Sequence, residues 1–540
     1  MRKNLRYNYF ASKNRYDVVI IGSGPAGLTA GTFLAKHRLS VGIFEQHPTA
    51  AGGGLHSFFL KGHGPYSPAF HYVGLDGILQ SVYQELGLSR HLKFRRLNPN
   101  GFDRIVIGDQ EISQPQGLER WLKRLCERFP WEREGLTRYF KTICDIVEHL
   151  KKCGGSFSFP EILTVAHRLP VLAYWSTKTL ADLLNDCIRD PLLRAILAAQ
   201  CGNHGLPPSQ VSLLIHAAMT VHYLKGAYYP CGGATSIAEA YIEELHHDGG
   251  DIRLNARVKR ILVEHGRAVG IQLENGEIIR ATYVICNADP AILYGQLLPA
   301  EYCPKERRQA QHMEYSISAI SLFCAVTDLP SSVTSGNIWW YRTSNMEAIY
   351  RQMMGGLPSE RVDFLFIGSP SLKDPGHKRK RGQYTLEMFT LVPYAPFVPW
   401  ADLPVGKRGA DYEEFKNRLR DLMIAAAGEA IPGFKDKLTF CDVGTPLTCA
   451  AWLGSHNGAL YGKASLRSQL SPFSYRRRGP VEGLILCGAS VRTAHGFAGA
   501  TMDGVAAAAD LLGVKPAALF TDPGPPLEIC PAEPQEIWFP

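Results

Sequence analysis

Residues 18–21, Val-Val-Ile-Ile, form an unbroken apolar run that stops at Gly22, the pattern of a parallel strand covered on both faces. After the turn, Ala26, Ala30, Phe33 and Leu34 recur at helical spacing, and Ser40-Val-Gly-Ile-Phe44 predicts a second strand. Far downstream, residues 249–284 alternate with period two around Asn275-Gly276, a hairpin signal, and read as a three-stranded meander. Residues 484–487 predict a further buried strand, followed by a glycine-rich turn and a helix from about Gly499. Alternation in "YTLEMFTLV" predicts a strand with one buried face. It lies in a stretch dense in aromatic residues, among them Trp339, Trp340, Tyr341, Phe364, Phe366 and Phe389. Most of these are read as core and a subset as walls of an apolar tunnel.

The turn after the first run has the spacing Gly22-x-Gly24-x-x-Gly27, enclosing Pro25 and Ala26. Gly22 permits the bend, Gly24 lets backbone approach a pyrophosphate, and Gly27 lets the helix pack on the strand. The helix N-terminus then faces the phosphates. Glu45, 18 residues beyond Gly27 and followed by Gln46, stands where an acid accepts hydrogen bonds from a ribose. The bland alternative is a glycine-rich turn without a ligand. Strand, glycines, helix, strand and acid in this order favour an ADP-binding unit.

The segment beyond Glu45 separates a flavin from a nicotinamide. A second cluster, Ala51-Gly-Gly-Gly-Leu-His-Ser57, comes where a plain NAD-binding domain continues into a helix. Gly53, Gly54, Leu55, His56 and Ser57 are therefore assigned to wrapping the extended chain of FAD. The meander, through Val258, is assigned to the adenine side. Gly488, Ser490, Gly499, Ala500 and Thr501 are assigned to the flavin end, where a helix N-terminus favours the N1–C2=O edge that becomes anionic on reduction. Three distant segments return to one cofactor, FAD.

The chain has 540 residues, 45% of them apolar and 20% charged, long enough for two or more interleaved domains. The formal charge of +8 is spread along it, apart from the runs 378–381 and 476–478, which read as solvated loops. No motif supports nucleic acid as a partner. Thirteen cysteines without C-x-x-C pairs exclude a zinc site or disulfide framework and favour a reducing compartment, the cytoplasm. The basic N-terminus lacks the apolar core of a secretory signal, and no run is long enough to span a bilayer. Segments 159–175 and 191–223 are apolar enough either to lie in a lipid interface, giving peripheral membrane contact, or to be buried helices. No metal-ligand spacing is found.

The segments "YDVVIIGSGPAGLTAG", "AGGGLHSF", "FHYVG", "CGNHGLPPSQVS", "YYPCGGATSI", "GTPLT" and "HGFAGATMDG" together resemble the phytoene desaturase superfamily of flavoproteins, within it the retinol saturase and carotenoid isomerase branch. The resemblance implies non-covalent FAD in an α/β, Rossmann-type domain of the two-dinucleotide-binding-domain class, shared with amine oxidases and interleaved with an α+β substrate domain. It also implies a hydrophobic tunnel for polyene or isoprenoid substrates. The FAD domain is expected from 15–75, 226–290 and 479–514, the substrate domain from 76–225 and 291–478, and a Pro-rich tail over 515–540. Relatives often carry an acid where this chain has Ser490, which brings no charge.

By the same resemblance the segment with His71 and Tyr72 returns beside the flavin ring, and either residue is a candidate proton donor; His495 is a third. To saturate a double bond, hydride goes to one carbon and a proton to the other. Desaturation runs the same path backward, and isomerisation needs no net transfer. Saturation is the expectation, with a polyene isomerase, a desaturase and a non-catalytic flavin-containing lipid-binding protein as alternatives. No second G-x-G-x-x-G framed by strand and helix is present, so a saturase needs electrons from a transient NAD(P)H contact or a partner protein.

Overall fold

In the first sheet, widely separated runs of chain lie edge to edge. A computed structural model describes residues 13–75, 77–152, 170–374, 382–470, 474–492 and 496–533. The sheet contains β1 (Arg15–Ile21), β2 (Val41–Phe44), β9 (Asp251–Arg253), β10 (Val258–Glu264), β11 (Arg267–Leu273), β12 (Ile278–Cys286) and β18 (Leu484–Leu486). The long strand β12 holds it together. Ile278 to Arg280 pair antiparallel with β11, Val284 to Cys286 pair parallel with β18, and the opposite edge runs parallel to β1. Val18 and Ile20 face one core cluster and Val19 and Ile21 another, as an unbroken apolar run requires.

The meander is therefore real, with its turn at Asn275-Gly276, but its last strand also belongs to the parallel sheet. Asp251 to Arg253, read as part of the meander, instead extend the parallel sheet beside β2. The C-terminal helix spans Gly496–Leu512 and starts earlier than the sequence suggested. It crosses the Pro25–Lys36 helix where Gly504 meets Ala26 and Thr29.

The second sheet has the order β17 (Leu438–Gly444), β13 (Ser318–Val326), β16 (Tyr384–Val392), β15 (Phe364–Gly368), β14 (Asn337–Tyr341), β6 (Asp103–Ile107), β7 (Gln110–Gln114). Trp340, Leu365, Ile367 and Met388 pack on the Ala410–Ala430 helix side, while Trp339, Tyr341, Phe364, Phe366 and Phe389 belong to the larger core on the other face. Both faces are covered, so the one-sided burial read from "YTLEMFTLV" is corrected. Thr385, Glu387 and Thr390 are buried as well.

The tail contributes β19 (Glu528–Cys530) to a small sheet with β5 (Lys93–Arg96) and β8 (Tyr228–Pro230). A fourth, two-stranded sheet pairs β3 (Phe58–Leu60) with β4 (His63–Tyr66). Of the two basic runs, 378–381 lies outside the described residues. The other is not simply solvated: the Arg477 side chain is part-buried, 10% exposed, and bonds Asp503 at 2.6 Å and Asp510 at 3.1 Å. In the apolar stretch 191–223, Leu193, Ile196, Leu213 and Ala217 are buried. The Leu213–Leu224 helix packs on Arg133–Lys152. Most of the other stretch, through residue 169, lies outside the described residues. Among the described residues no helix is long and apolar enough to cross a membrane.

A Cβ on Gly504 would sit 2.4 Å from the Ala26 carbonyl oxygen and 2.8 Å from Thr29 Cβ. Gly504→Val should therefore destabilise the protein by about 1–3 kcal/mol in urea unfolding. Gly355→Ala, at a helix end where an added methyl meets nothing within 4 Å, should change stability by no more than about 0.5 kcal/mol.

Candidate functional site

The carboxyl ends of β1, β2, β12 and β18 open on a cavity of about 800 Å³, at the switch point where chain leaves the sheet in opposite directions. Its floor is backbone. Gly22 turns with φ +90°, and a Cβ on Gly27 would lie 2.2 Å from the Gly22 carbonyl oxygen. Gly53, at φ +56°, lies so close that its Cβ would be 3.3 Å from Gly24 Cα. The two glycine clusters thus meet backbone to backbone, and the Gly52 amide donates to Ser23 Oγ at 3.1 Å. His56 closes the second turn through Nδ1 and the Gly53 carbonyl, 2.6 Å apart.

Glu45 reaches this floor from the end of β2. Its Oε2 accepts from the Ser23 amide at 2.9 Å and Ser23 Oγ at 2.6 Å, and its Oε1 accepts from the His47 amide at 2.8 Å. These bonds fix the carboxylate at the cavity wall. Of the other residues assigned from sequence, Gly22, Gly24, Pro25 and Gln46 line the cavity from the first unit, and Gly53, Gly54, Leu55 and His56 from the second cluster. Val258, Gly488, Ser490 and Ala500 line it from the later segments.

Ala26, Gly27, Ser57, Gly499 and Thr501 are not among the lining residues. Gly27 is consumed by packing on Gly22, and the Ser57 amide donates to Thr235 Oγ1 at 2.7 Å. His495 lies outside the described residues.

Sequence reasoning missed Asn287. Its amide group lies beside Gly22, Gly24, Gly27 and Gly488, and its Nδ2 donates to the Gly22 carbonyl at 3.4 Å. A polar residue directly after an apolar strand, in "VICNADP", was the available signal. Two residues on, Asp289 accepts from Ser490 Oγ at 2.7 Å and from the Tyr315 hydroxyl. The charge missing at Ser490 is thus supplied from the end of β12. Nearby, Lys463 donates to the Val491 carbonyl at 2.7 Å, and burial lowers its pKa to about 8. At the mouth, His47 stands 5.0 Å from the His56 ring and 5.5 Å from the Trp452 ring. Burial first, then His56, lowers the pKa of His47.

Beyond the cavity the chain turns from its lining residue Phe70 to His71, whose ring packs 4.9 Å from Phe366 and 5.6 Å from Phe389. His71 Nδ1 donates to Glu387 Oε2 at 3.2 Å, and Nε2 has no hydrogen bond among the described residues. His71 is 20% exposed. Tyr72 is buried: its hydroxyl donates to Asp103 Oδ2 at 3.0 Å, and burial, then Asp103, pushes its pKa well up. Neither residue lines the cavity. Glu387, Asp103 and Asn337 around them escaped sequence reasoning because single polar letters in strands look like solvent-facing positions, and Lys373, in the short Pro370–Lys373 helix, because a lone lysine reads as a surface charge. Tyr461 does line the cavity and donates to the Gly202 carbonyl at 2.8 Å, which ties the "CGNHG" segment to the site.

Backbone cradles that any Cβ would fill, a fixed acid and a cavity of about 800 Å³ fit an extended dinucleotide. The chain is 28% identical to an all-trans-retinol 13,14-reductase of Danio rerio, over 92% of this chain and 86% of that one. A second Danio rerio relative, 26% identical over 92% and 85%, is named an inactive all-trans-retinol 13,14-reductase. A chloroplastic prolycopene isomerase of an Oncidium hybrid is 26% identical over 83% and 75%. In fold this chain is similar to cyclohexylamine oxidase from Brevibacterium oxydans, with a TM-score of 0.57 and 16% identity, covering 94% of this chain and 98% of that one. The family model for flavin containing amine oxidoreductases matches residues 25–512. With its Rossmann-type sheet and its interleaved α+β part, this chain belongs to that family of FAD-dependent oxidoreductases.

Proposed function

We propose that the protein reduces a carbon–carbon double bond in a conjugated, isoprenoid-like substrate, with FAD held at the strand ends. Likeness to all-trans-retinol 13,14-reductases over 92% of this chain supports the substrate class. The observation that carries the reading is the His71–Glu387 pair, an ionisable group set in an aromatic wall one residue from cavity-lining Phe70. In this reading Gly22, Gly24, Pro25, Gly53 and Gly54 receive the pyrophosphate and Glu45 the ribose. Val258 flanks the adenine side, and Gly488, Ser490 and Ala500 hold the flavin end. Held there in its reduced form, FAD would supply the hydride equivalent from its ring.

The chain supplies the proton. Histidine can be charged near neutral pH, and a carboxylate on Nδ1 both orients the ring and stabilises its charged form. That leaves Nε2 as the donating atom. Tyr72 is the poorer donor, because its hydroxyl is committed to Asp103 and burial keeps it protonated. Phe366, Phe389 and Phe70 exclude water, so the proton goes to carbon. Electrons enter from outside, from NAD(P)H or a protein donor, since no second dinucleotide-binding turn is present in the sequence. A substrate of this class partitions into lipid. Peripheral membrane contact from a cytoplasmic position goes with the reading, and the exposed Trp131 and Tyr174 support it. Redox-neutral isomerisation is the second reading, favoured by the Oncidium relative.

Holoprotein incubated with all-trans-retinol or prolycopene, with and without dithionite, separates these by product mass. A gain of two hydrogens is expected. Unchanged mass with an altered absorbance spectrum marks an isomerase, and a loss of two hydrogens a desaturase. A flavin that no polyene oxidises or reduces marks a non-catalytic lipid binder.

His71→Gln should lower turnover by about 10²–10⁴-fold while the flavin absorbance stays bound to the protein. Glu45→Ala should weaken FAD binding by about 10–100-fold, read by fluorescence titration of the apoprotein, through loss of charge-assisted hydrogen bonds.

A further inference from the structure

We propose that Asp103, Asn337 and Lys373 form a buried polar bridge that positions His71 against Glu387, so that all three are positioning residues for proton delivery. The inference rests on His71 as the donor.

The bridge has one route. Lys373 Nζ donates to Asn337 Oδ1, and Asn337 Nδ2 donates to Asp103 Oδ1 at 2.8 Å. Lys373 also donates to the His71 carbonyl at 2.9 Å, and Asp103 Oδ2 accepts from Tyr72 at 3.0 Å and Gln200 at 2.7 Å. A cation and an anion separated by one amide thus grip two consecutive residues, one by its carbonyl and the other by its hydroxyl. Lys373 is 1% exposed, and Asp103 and Asn337 are fully buried.

Mere packing does not call for this. Apolar residues fill such a space at lower cost than two charges. Nor do the bonds serve the sheet: Asp103 and Asn337 are already ladder partners through their backbones. Their side chains and Lys373 converge instead on the segment that carries the donor. Gly368 makes the room, since a Cβ there would sit 2.9 Å from Lys373 Nζ and 3.3 Å from Asn337 Oδ1.

Among the described residues the ionisable groups facing His71 are few. Glu387 comes from β16, Lys373 from the Pro370–Lys373 turn of helix, and Asp103 from β6 by way of Tyr72. Tyr229 lies under the ammonium at 5.8 Å, and Asp374, which accepts from the Gly232 amide at 3.1 Å, stands beyond it. Burial raises the Asp103 carboxyl to about 6 and lowers the Lys373 ammonium to about 8. Both charges are therefore in place only around neutral pH.

Gly368→Ala tests the bridge without deleting a charge. The residue ends β15, in backbone that alanine adopts, and the clash falls on the far end of a flexible side chain. Lys373→Met removes the charge outright. The readout is the ¹⁵N spectrum of the His71 imidazole in FAD-loaded protein, assigned with His71→Gln. A ring held through Nδ1 on Glu387 gives a single fixed Nδ1–H signal; releasing the loop should broaden or abolish that signal in both variants, with at least about a tenfold fall in kcat while FAD stays bound. An unchanged His71 spectrum in both variants overturns the bridge. The donor reading is judged separately: wild-type turnover of all-trans-retinol by His71→Gln overturns the donor, whereas lost turnover beside an unchanged His71 spectrum overturns the bridge alone.

Discussion

The parallel pairing of β1 with β12 brings Gly22 and Asn287 side by side, and the floor of the cavity depends on it. Asn287 follows directly on a strand whose two halves serve different neighbours, the meander at one end and β18 at the other. The meander, the glycine turn after β1 and the turn after β18 are therefore fixed relative to one another by a single strand. Its amide fills the space that four glycines leave open. Those glycines admit Asn287 as well as a phosphate, so their spacing reflects packing between distant segments in addition to ligand approach. A change at Asn287 would act on the cofactor floor without touching the turn's own sequence.

The second sheet is asymmetric in its chemistry. One face packs aliphatic and aromatic side chains against the Ala410–Ala430 helix as ordinary core. The other carries the aromatic wall, and into that wall are set Asp103, Asn337 and Glu387. Buried polar groups are costly unless hydrogen-bonded. Here they are bonded: Glu387 and Asp103 accept from the chain between Ser67 and Tyr72, and Asn337 joins Asp103 to Lys373, which donates to the same stretch of chain. The polar groups of one sheet face and the loop leaving the cofactor cavity thus satisfy each other. Cofactor and wall are coupled through six residues of chain between them.

The Rossmann-type half of this fold was legible in the sequence because its signals are local. A strand, a spaced glycine turn, a helix and an acid follow one another within thirty residues, and each position has a backbone reason to be what it is. The hairpin at Asn275-Gly276 is legible for the same reason. Global position was not. Nothing in residues 251–253 says that they extend a parallel sheet, and nothing in Arg477 says that its charge is held against Asp503. The polar members of the wall were hidden by the same logic. Period-two alternation places Thr385 and Glu387 on the face opposite the apolar letters, and only the covering of both faces makes those positions interior. A buried carboxylate reads from sequence like a solvated one until the partner that donates to it is known.

The difference between adding hydrogens and merely moving a double bond turns on the proton. An isomerase that takes back the electrons it lends leaves no net proton on carbon, and its wall is best built without an acid. In the proposed reading His71 is that acid, held by a carboxylate that is itself shielded from water. Keeping Glu387 buried costs free energy in either case, and a donor that must be charged before it gives up its proton in an apolar setting returns something for it. A wall that merely enclosed a polyene gains nothing from a histidine and a buried carboxylate. The same argument accounts for why the bridge from Lys373 to Asp103 stops at Tyr72: the loop needs to be held at the donor and its neighbour, and beyond them the aromatic packing suffices.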